Sequence, residues 1–350
     1  SSATVVNQSG LIETVGSGEP RIDFKDNAKG ALLLEPSRSN VVPYSQTFTG
    51  WSIVNAVETP NALISPDGNL NASKFVTNNV GVDIKYANVP VIANTTYTYS
   101  FYCNYVGGEG LQGRFYDNTN GANIEYYDYM NQLEEGKWKR VTRTFTTPSG
   151  CSNIQVWYLA ASGSQPVTAY YWGAQLEEGS YATSYIPTSG QSGGVTRVAD
   201  ACNNGGNEQV INSTEGVLYA EISKINESEG ESTIAISRDV NNEIRLNFAT
   251  NNRLNVFVNV NGSNQVYMDN TDYNLEEYNK IAIKYKLNDY SVFVNGNKIH
   301  TDTNATVPSG LDLVDFNQGT SSNKFYGNTK DLRVYNTALT DQELIALTTI

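Results

Sequence analysis

Apolar and polar residues alternate in short bursts along most of this chain, and clusters of Asn, Gly, Pro and Ser separate the bursts. A period of two puts successive side chains on opposite faces of a strand, so each burst predicts a β-strand with one buried face. The first half yields such segments at 51–57, 72–77, 82–86, 95–105, 112–116, 124–129, 138–146, 153–159 and 170–176. The pattern restarts at 216–225, 233–237, 243–248, 254–260, 280–287, 291–294 and 298–301. SVFVNGNKIH (291–300) is two alternating runs joined by Asn-Gly, a turn whose twist matches that of a hairpin. Residues 331–335 add a closing strand, and a short helix follows, with Thr340 as N-cap and Glu343 completing a capping box. The fold class is all-β: two antiparallel, jelly-roll-like β-sandwich domains in tandem, behind an N-terminal strand-forming leader.

Between the two sets lies GQSGG (190–194), which reads as a linker because glycine and serine bury too little to order themselves. The expected division is a leader at 1–43 docking on a neighbouring domain or subunit, a first sandwich at 44–190, a linker at 191–207 and a second sandwich at 208–350. The 350 residues are enough for two cores. A formal net charge of −13 repels phosphate backbones, so no nucleic acid partner is expected. The sequence contains no apolar run long enough for a membrane-spanning helix, so no membrane insertion is expected. The opening SSATVVNQSG has neither the basic region nor the apolar stretch of a signal peptide, and Ser1 in place of Met reads as a truncated or processed start. Cys103, Cys151 and Cys202 are odd in number, so at least one is free. Buried free thiols are expected in preference to a Cys103–Cys151 bridge.

Catalytic chemistry is hard to build from these residues. His300 is the only histidine, which removes His-clustered zinc sites, and it reads as a surface strand residue. Glycoside hydrolysis needs two carboxyls facing across a cleft. The acid pairs Glu134–Glu135, Glu177–Glu178 and Glu276–Glu277 abut turn-like segments and read as loop charges. The chain is therefore read as non-enzymatic. Sugar binding asks for aromatic faces beside amide or guanidinium groups. Alternation leaves Tyr102 and Asn104, Arg114 and Tyr116, and Gln155 and Trp157 opposite the apolar sides of three strands. Together they predict one polar-aromatic face, on which Arg114 would hold hydroxyls or an acidic sugar. The competing reading buries Trp157 and Tyr102 under the leader or a subunit contact. Tyr126, Tyr127 and Tyr129 are expected to place one ring inward and the others on a rim or interface, and Trp172 is expected in the core. Calcium is the one metal the loops suggest, at Asp117, Asn118 and Asn120 and at Asp67 with Asn69 and Asn71; turn formation is the alternative role.

Several boxes carry a resemblance. GLIE (10–13), PRIDF (20–24), GALLLEPSRSN (30–40), WGAQLEEGSYATSYIPT (172–188) and TRVAD (196–200) occur in this order. They are similar to the frame of a family of bacteriophage tail and virion-surface proteins that encloses a carbohydrate-binding-module-like sandwich. The second half resembles the laminin-G-like, concanavalin-A-like sandwiches through GVLYAEIS (216–223), the VNG hairpin and the segment from Phe325 to Leu344. The resemblance implies a virion spike or tail-fibre protein on the particle surface, attaching to a host cell-surface glycan, contacting other virion proteins and assembling as a homotrimer. A structural connector without sugar binding and a polysaccharide depolymerase are the alternative readings.

Overall fold

The computed structural model describes residues 3–77, 83–160, 166–226, 230–318 and 323–350. Within it the chain forms two compact units, Ser1–Glu19 with Ser37–Val198, and Pro20–Pro36 with Ala199–Ile350. Each is a sandwich of antiparallel sheets, as the alternation predicts. In the first unit one five-stranded sheet runs Trp138–Thr146, Thr96–Gly107, Thr168–Glu178, Leu70–Thr77, Ala56–Ile64. The other runs Ala122–Asp128, Leu111–Asp117, Asn153–Ala160, Asp83–Pro90, Ser52–Val54. Their inner faces meet in an aromatic core in which Phe115 stacks on Phe145 and Tyr158 on Tyr171, with ring centroids 3.9 Å and 4.3 Å apart. The predicted strand 82–86 is observed from Asp83 onward, and Val82 lies outside the described residues.

The second unit pairs a seven-stranded sheet with a five-stranded one. The seven run Asn297–Asp302, Tyr290–Val294, Asn279–Lys286, Glu215–Lys224, Gly327–Tyr335, Ala31–Leu34, Ile22–Asp23. The five run Ser263–Asn270, Leu254–Val260, Asn242–Phe248, Ser232–Asp239, Leu313–Asp315. The helix Asp341–Thr348 starts with the expected capping box, in which Glu343 N–H donates to Thr340 Oγ1 and Thr340 N–H donates to Glu343. Alternation missed Ser263–Asn270, Leu313–Asp315 and most of Ala56–Ile64. All three are edge strands, where one side of the ladder is unpaired and side chains need not alternate. Pro60 sits on such an edge, the place in a sheet that tolerates a missing N–H.

The leader and linker need correction. Residues 1–43 do not form one segment. Thr4–Val6 and Ile12–Thr14 pair as a hairpin of the first unit, where Ile12 packs with Ala72, Trp172 and Tyr185. Ile22–Asp23 and Ala31–Leu34 instead extend the large sheet of the second unit alongside Gly327–Tyr335. There Arg21 is buried between Glu35, at 2.6 Å, and Asp200. A short apolar run such as ALLL needs a sheet to join, but its composition does not say which one. The glycines at 190–194 likewise form a packed turn. Gly194 has φ +83°, and a side chain there would meet the Asn40 carbonyl oxygen at 2.3 Å. Val195–Arg197 then pairs with Arg38–Asn40, so this segment belongs to the first unit. Gly194 thus serves close backbone approach, and Gly190 makes room for the Tyr44 ring.

That pairing explains two of the sequence boxes. Asn40 is fully buried; its Nδ2 donates to the carbonyls of Ala174 and Ile186, and its Oδ1 accepts from the N–H groups of Val42 and Leu176. Buried Glu177 accepts from Gln175 and from the backbone and hydroxyl of Thr183. The boxes thus brace each other. All three cysteines are free, and burial raises the thiol pKa of Cys103 and pushes that of Cys151 up to about 11.

All four tryptophans lie in the first unit, so their fluorescence reports its unfolding. Asn40→Ala orphans buried backbone groups at a cost of about 1–3 kcal/mol for each one left unpaired. Urea unfolding followed by tryptophan emission should show that loss, and an unchanged midpoint would mean the brace is not needed.

Candidate functional site

Arg114 and Trp157 come together because of what lies beneath them. Phe115 and Val156 point into the core and are fully buried, so their neighbours in sequence point out. Gly113 faces Tyr127 across the ladder, and a Cβ at Gly113 would lie 2.0 Å from that ring. The tyrosine therefore covers the glycine, which pins the register of the two strands. The result on the outer face is a single cross-strand row, Tyr126, Arg114, Trp157, Tyr86 and Ser52, each directly opposite the next.

The row is tightly interlocked. The Arg114 guanidinium lies 4.4 Å from the Trp157 ring centre, 4.5 Å from Tyr116 and 4.8 Å from Tyr126. Trp157 also meets Tyr86 at 5.6 Å and Tyr116 at 6.1 Å. Arg114 Nε donates to Asn123 Oδ1 at 2.8 Å, a contact reached through a bulge beside Phe115. Trp157 Nε1 donates to Gln155 Oε1 at 2.9 Å, and Gln155 Nε2 in turn donates to Asn118. Tyr126 is 53% exposed, whereas Arg114, Tyr116, Trp157 and Tyr86 are half-buried, so each keeps part of its surface in contact with solvent. Arginine held by several rings is restrained before any ligand arrives, and each such contact contributes about 0.5–2 kcal/mol.

The structure brings together Arg114, Tyr116, Gln155 and Trp157, as alternation predicts, but not Tyr102 or Asn104. Those two belong to Thr96–Gly107, which lies in the opposite sheet, so their outward side is the other side of the sandwich. Tyr102 packs edge-on against Trp172 in the cluster containing Ile12, and Asn104 is buried and donates to the Gly136 carbonyl. The covered reading is therefore correct for Tyr102, and Trp172 is fully buried as expected. Tyr127 and Tyr129 both point inward, leaving only Tyr126 outside. That is the arrangement period two gives, since residues 127 and 129 share a face; the expectation of a single inward ring departed from the alternation. Tyr86 and Asn123 were missed. Tyr86 is in step with Ile84 and opposite Lys85, so alternation reads it as inward, and only the burial of Lys85 reveals the reverse; the bulge that delivers Asn123 likewise leaves no trace in the sequence. Among the paired acids, Glu177 is a brace and Glu134 is ion-paired with Lys137 at the surface.

Residues 223–345 match the sequence profile of the concanavalin A-like lectin/glucanases superfamily, which agrees with the expectation for the second half. No curated protein matches the chain. Similar solved structures include the Ruminococcus gnavus IT-sialidase CBM40 bound to α2,3-sialyllactose, at 22% identity and a TM-score of 0.34, covering 39% of this chain and 84% of that one. The leech intramolecular trans-sialidase is 20% identical with a TM-score of 0.35, covering 40% of this chain and 24% of that one. The enzymatically active domain of bacteriophage CBA120 tailspike protein 4 is 10% identical with a TM-score of 0.32, covering 40% and 21%. At these values the likenesses carry no argument about ligand, activity or source.

The two loops named for calcium spend their carboxylates on turns. Asp117 is fully buried and accepts from the backbone N–H groups of Thr119 and Asn120 at 2.9 Å and from Asn120 Nδ2 at 2.7 Å. Burial alone would raise its pKa, but donations from Asn120, Cys151 and the Thr119 N–H together outweigh that and hold the carboxyl below its ordinary value. Asp67 accepts from Ser65 Oγ, Asn69 N–H and Asn71 Nδ2. Among the described residues no group of three or more His, Cys, Asp or Glu side chains is placed to hold a metal. With these oxygens already engaged, millimolar calcium should leave the thermal midpoint unchanged. A clear upward shift that chelator reverses would show that a cation displaces the turn contacts.

Proposed function

We propose that this chain is a non-enzymatic attachment protein of a bacteriophage virion, a spike or tail-fibre component that grips a host-surface glycan with the outer row of its first sandwich. The single observation that carries the reading is the row itself: Tyr126, Arg114, Trp157 and Tyr86 in register and partly exposed, with Gln155 and Asn123 beside them. Sugar rings have apolar faces that stack on aromatic rings and hydroxyls that need directional partners, and this surface offers both. The sequence boxes support a virion setting, and a homotrimeric particle protein would multiply weak sites through avidity. The same boxes also support a rival reading, a connector without a ligand, since Asn40 and Glu177 use them entirely for internal bracing.

Two tryptophans separate the readings. Trp157→Ala should weaken binding to cells or to an array-identified glycan at a stability cost of only about 0.5–2 kcal/mol, the scale of its contact with Arg114. Trp172→Ala should destabilise the fold by about 3–5 kcal/mol, as truncation of a fully buried ring does. Unaltered cell binding by a folded Trp157→Ala protein would remove the site from this face.

A further inference from the structure

We infer that the glycan held by this row carries a carboxylate, and that Arg114 is the residue that selects it; the inference rests on the proposed glycan-binding face. Arg143, Arg245, Arg253 and Arg333 each have a carboxylate within ion-pair distance, whereas Arg114, like Arg140 in the opposite sheet, has none among the described residues. Its one hydrogen bond to the protein there is from Nε to Asn123, so both terminal amino groups keep their donors for a ligand. The strand register places one acid nearby, Asp128 opposite Gln112, and its Oδ1 accepts from the Met130 N–H. Arg114 does not form an ion pair with it.

The second unit supplies the contrast. On the outer face of its five-stranded sheet, Arg245 lies over Phe257 at 4.2 Å, and Phe257 meets Tyr267 at 5.1 Å, again in cross-strand register. There the guanidinium is neutralised within the protein by Glu243, which is fully buried, at 3.1 Å. The two sandwiches thus present the same arginine-on-aromatic arrangement, compensated in one and uncompensated in the other.

The uncompensated charge decides the class of ligand. A sugar stacked on Trp157, Tyr116 or Tyr126 covers the guanidinium that lies against those rings and takes it out of water. Covering a charge costs free energy unless an opposite charge pairs with it. A neutral sugar offers only hydroxyls, whereas a uronate or sialate brings a planar, two-oxygen anion that matches the guanidinium fork. The geometry therefore points to acidic polysaccharides or sialylated chains rather than neutral glycans.

The test uses the full chain on an array bearing uronate-containing, sialylated and neutral glycans, then titrates the best acidic ligand and its methyl ester. Binding should concentrate on carboxylate-bearing glycans, and esterification should weaken it about tenfold or more, the range expected for one charge-assisted pair. Arg114→Gln should lose acidic binding to the same extent and bind the ester as the wild type does. Arg114→Lys should recover only part, because a point charge lacks the fork. Binding that needs Trp157 but is indifferent to Arg114 or to esterification would overturn the acidic inference and leave the glycan face standing. Glycan binding unaffected by either Trp157→Ala or Arg114→Gln would overturn both.

Discussion

The outer row depends on the immobility of the inner one. Phe115, Val156 and Ala87 are locked in the aromatic core of the first sandwich, and strand geometry then forces Arg114, Trp157 and Tyr86 to the opposite side. A slip of one residue would bury the guanidinium and expose Phe115, so the core specifies the surface. Gly113 adds a second lock, since only a residue without a side chain lets the Tyr127 ring lie where it does. A surface held this way is restrained before it meets anything, so a ligand binding to it would cost less ordering entropy.

How much of this was legible follows from the range of the interactions involved. Period-two alternation is local, and it correctly located most strands and the outward side of Arg114, Tyr116, Gln155 and Trp157. Sheet membership is not local. Tyr102 and Asn104 alternate just as convincingly, yet Thr96–Gly107 pairs with Trp138–Thr146 and Thr168–Glu178 in the other sheet. The run Ala31–Leu34 shows the same limit, because its partner Gly327–Tyr335 lies far along the chain. Glycine was misread for a related reason. At 190–194 it serves contact with Asn40 and Tyr44, and composition alone cannot separate close approach from flexibility.

The resemblance boxes acquire a physical meaning that differs from a binding signature. Asn40 fastens the segment after LLLEP to the strand Thr168–Glu178 and to Ile186, and Glu177 closes the loop that follows. These residues keep a sandwich intact whatever it binds. The residues proposed to touch a ligand lie elsewhere, on strands whose outward positions the core leaves free to vary. A family frame and a ligand face can therefore be read separately in one domain, and the frame alone says little about the ligand.

The four tryptophans allow the central claim to be tested directly. Trp51 and Trp172 are buried, Trp138 donates its Nε1 to the Ile64 carbonyl, and Trp157 alone stands in the outer row. With 5-fluorotryptophan incorporated and its resonances assigned by single Trp→Phe variants, fluorine NMR during glycan titration should shift the Trp157 signal and leave the other three in place. Saturable binding that leaves the Trp157 resonance untouched would contradict the account.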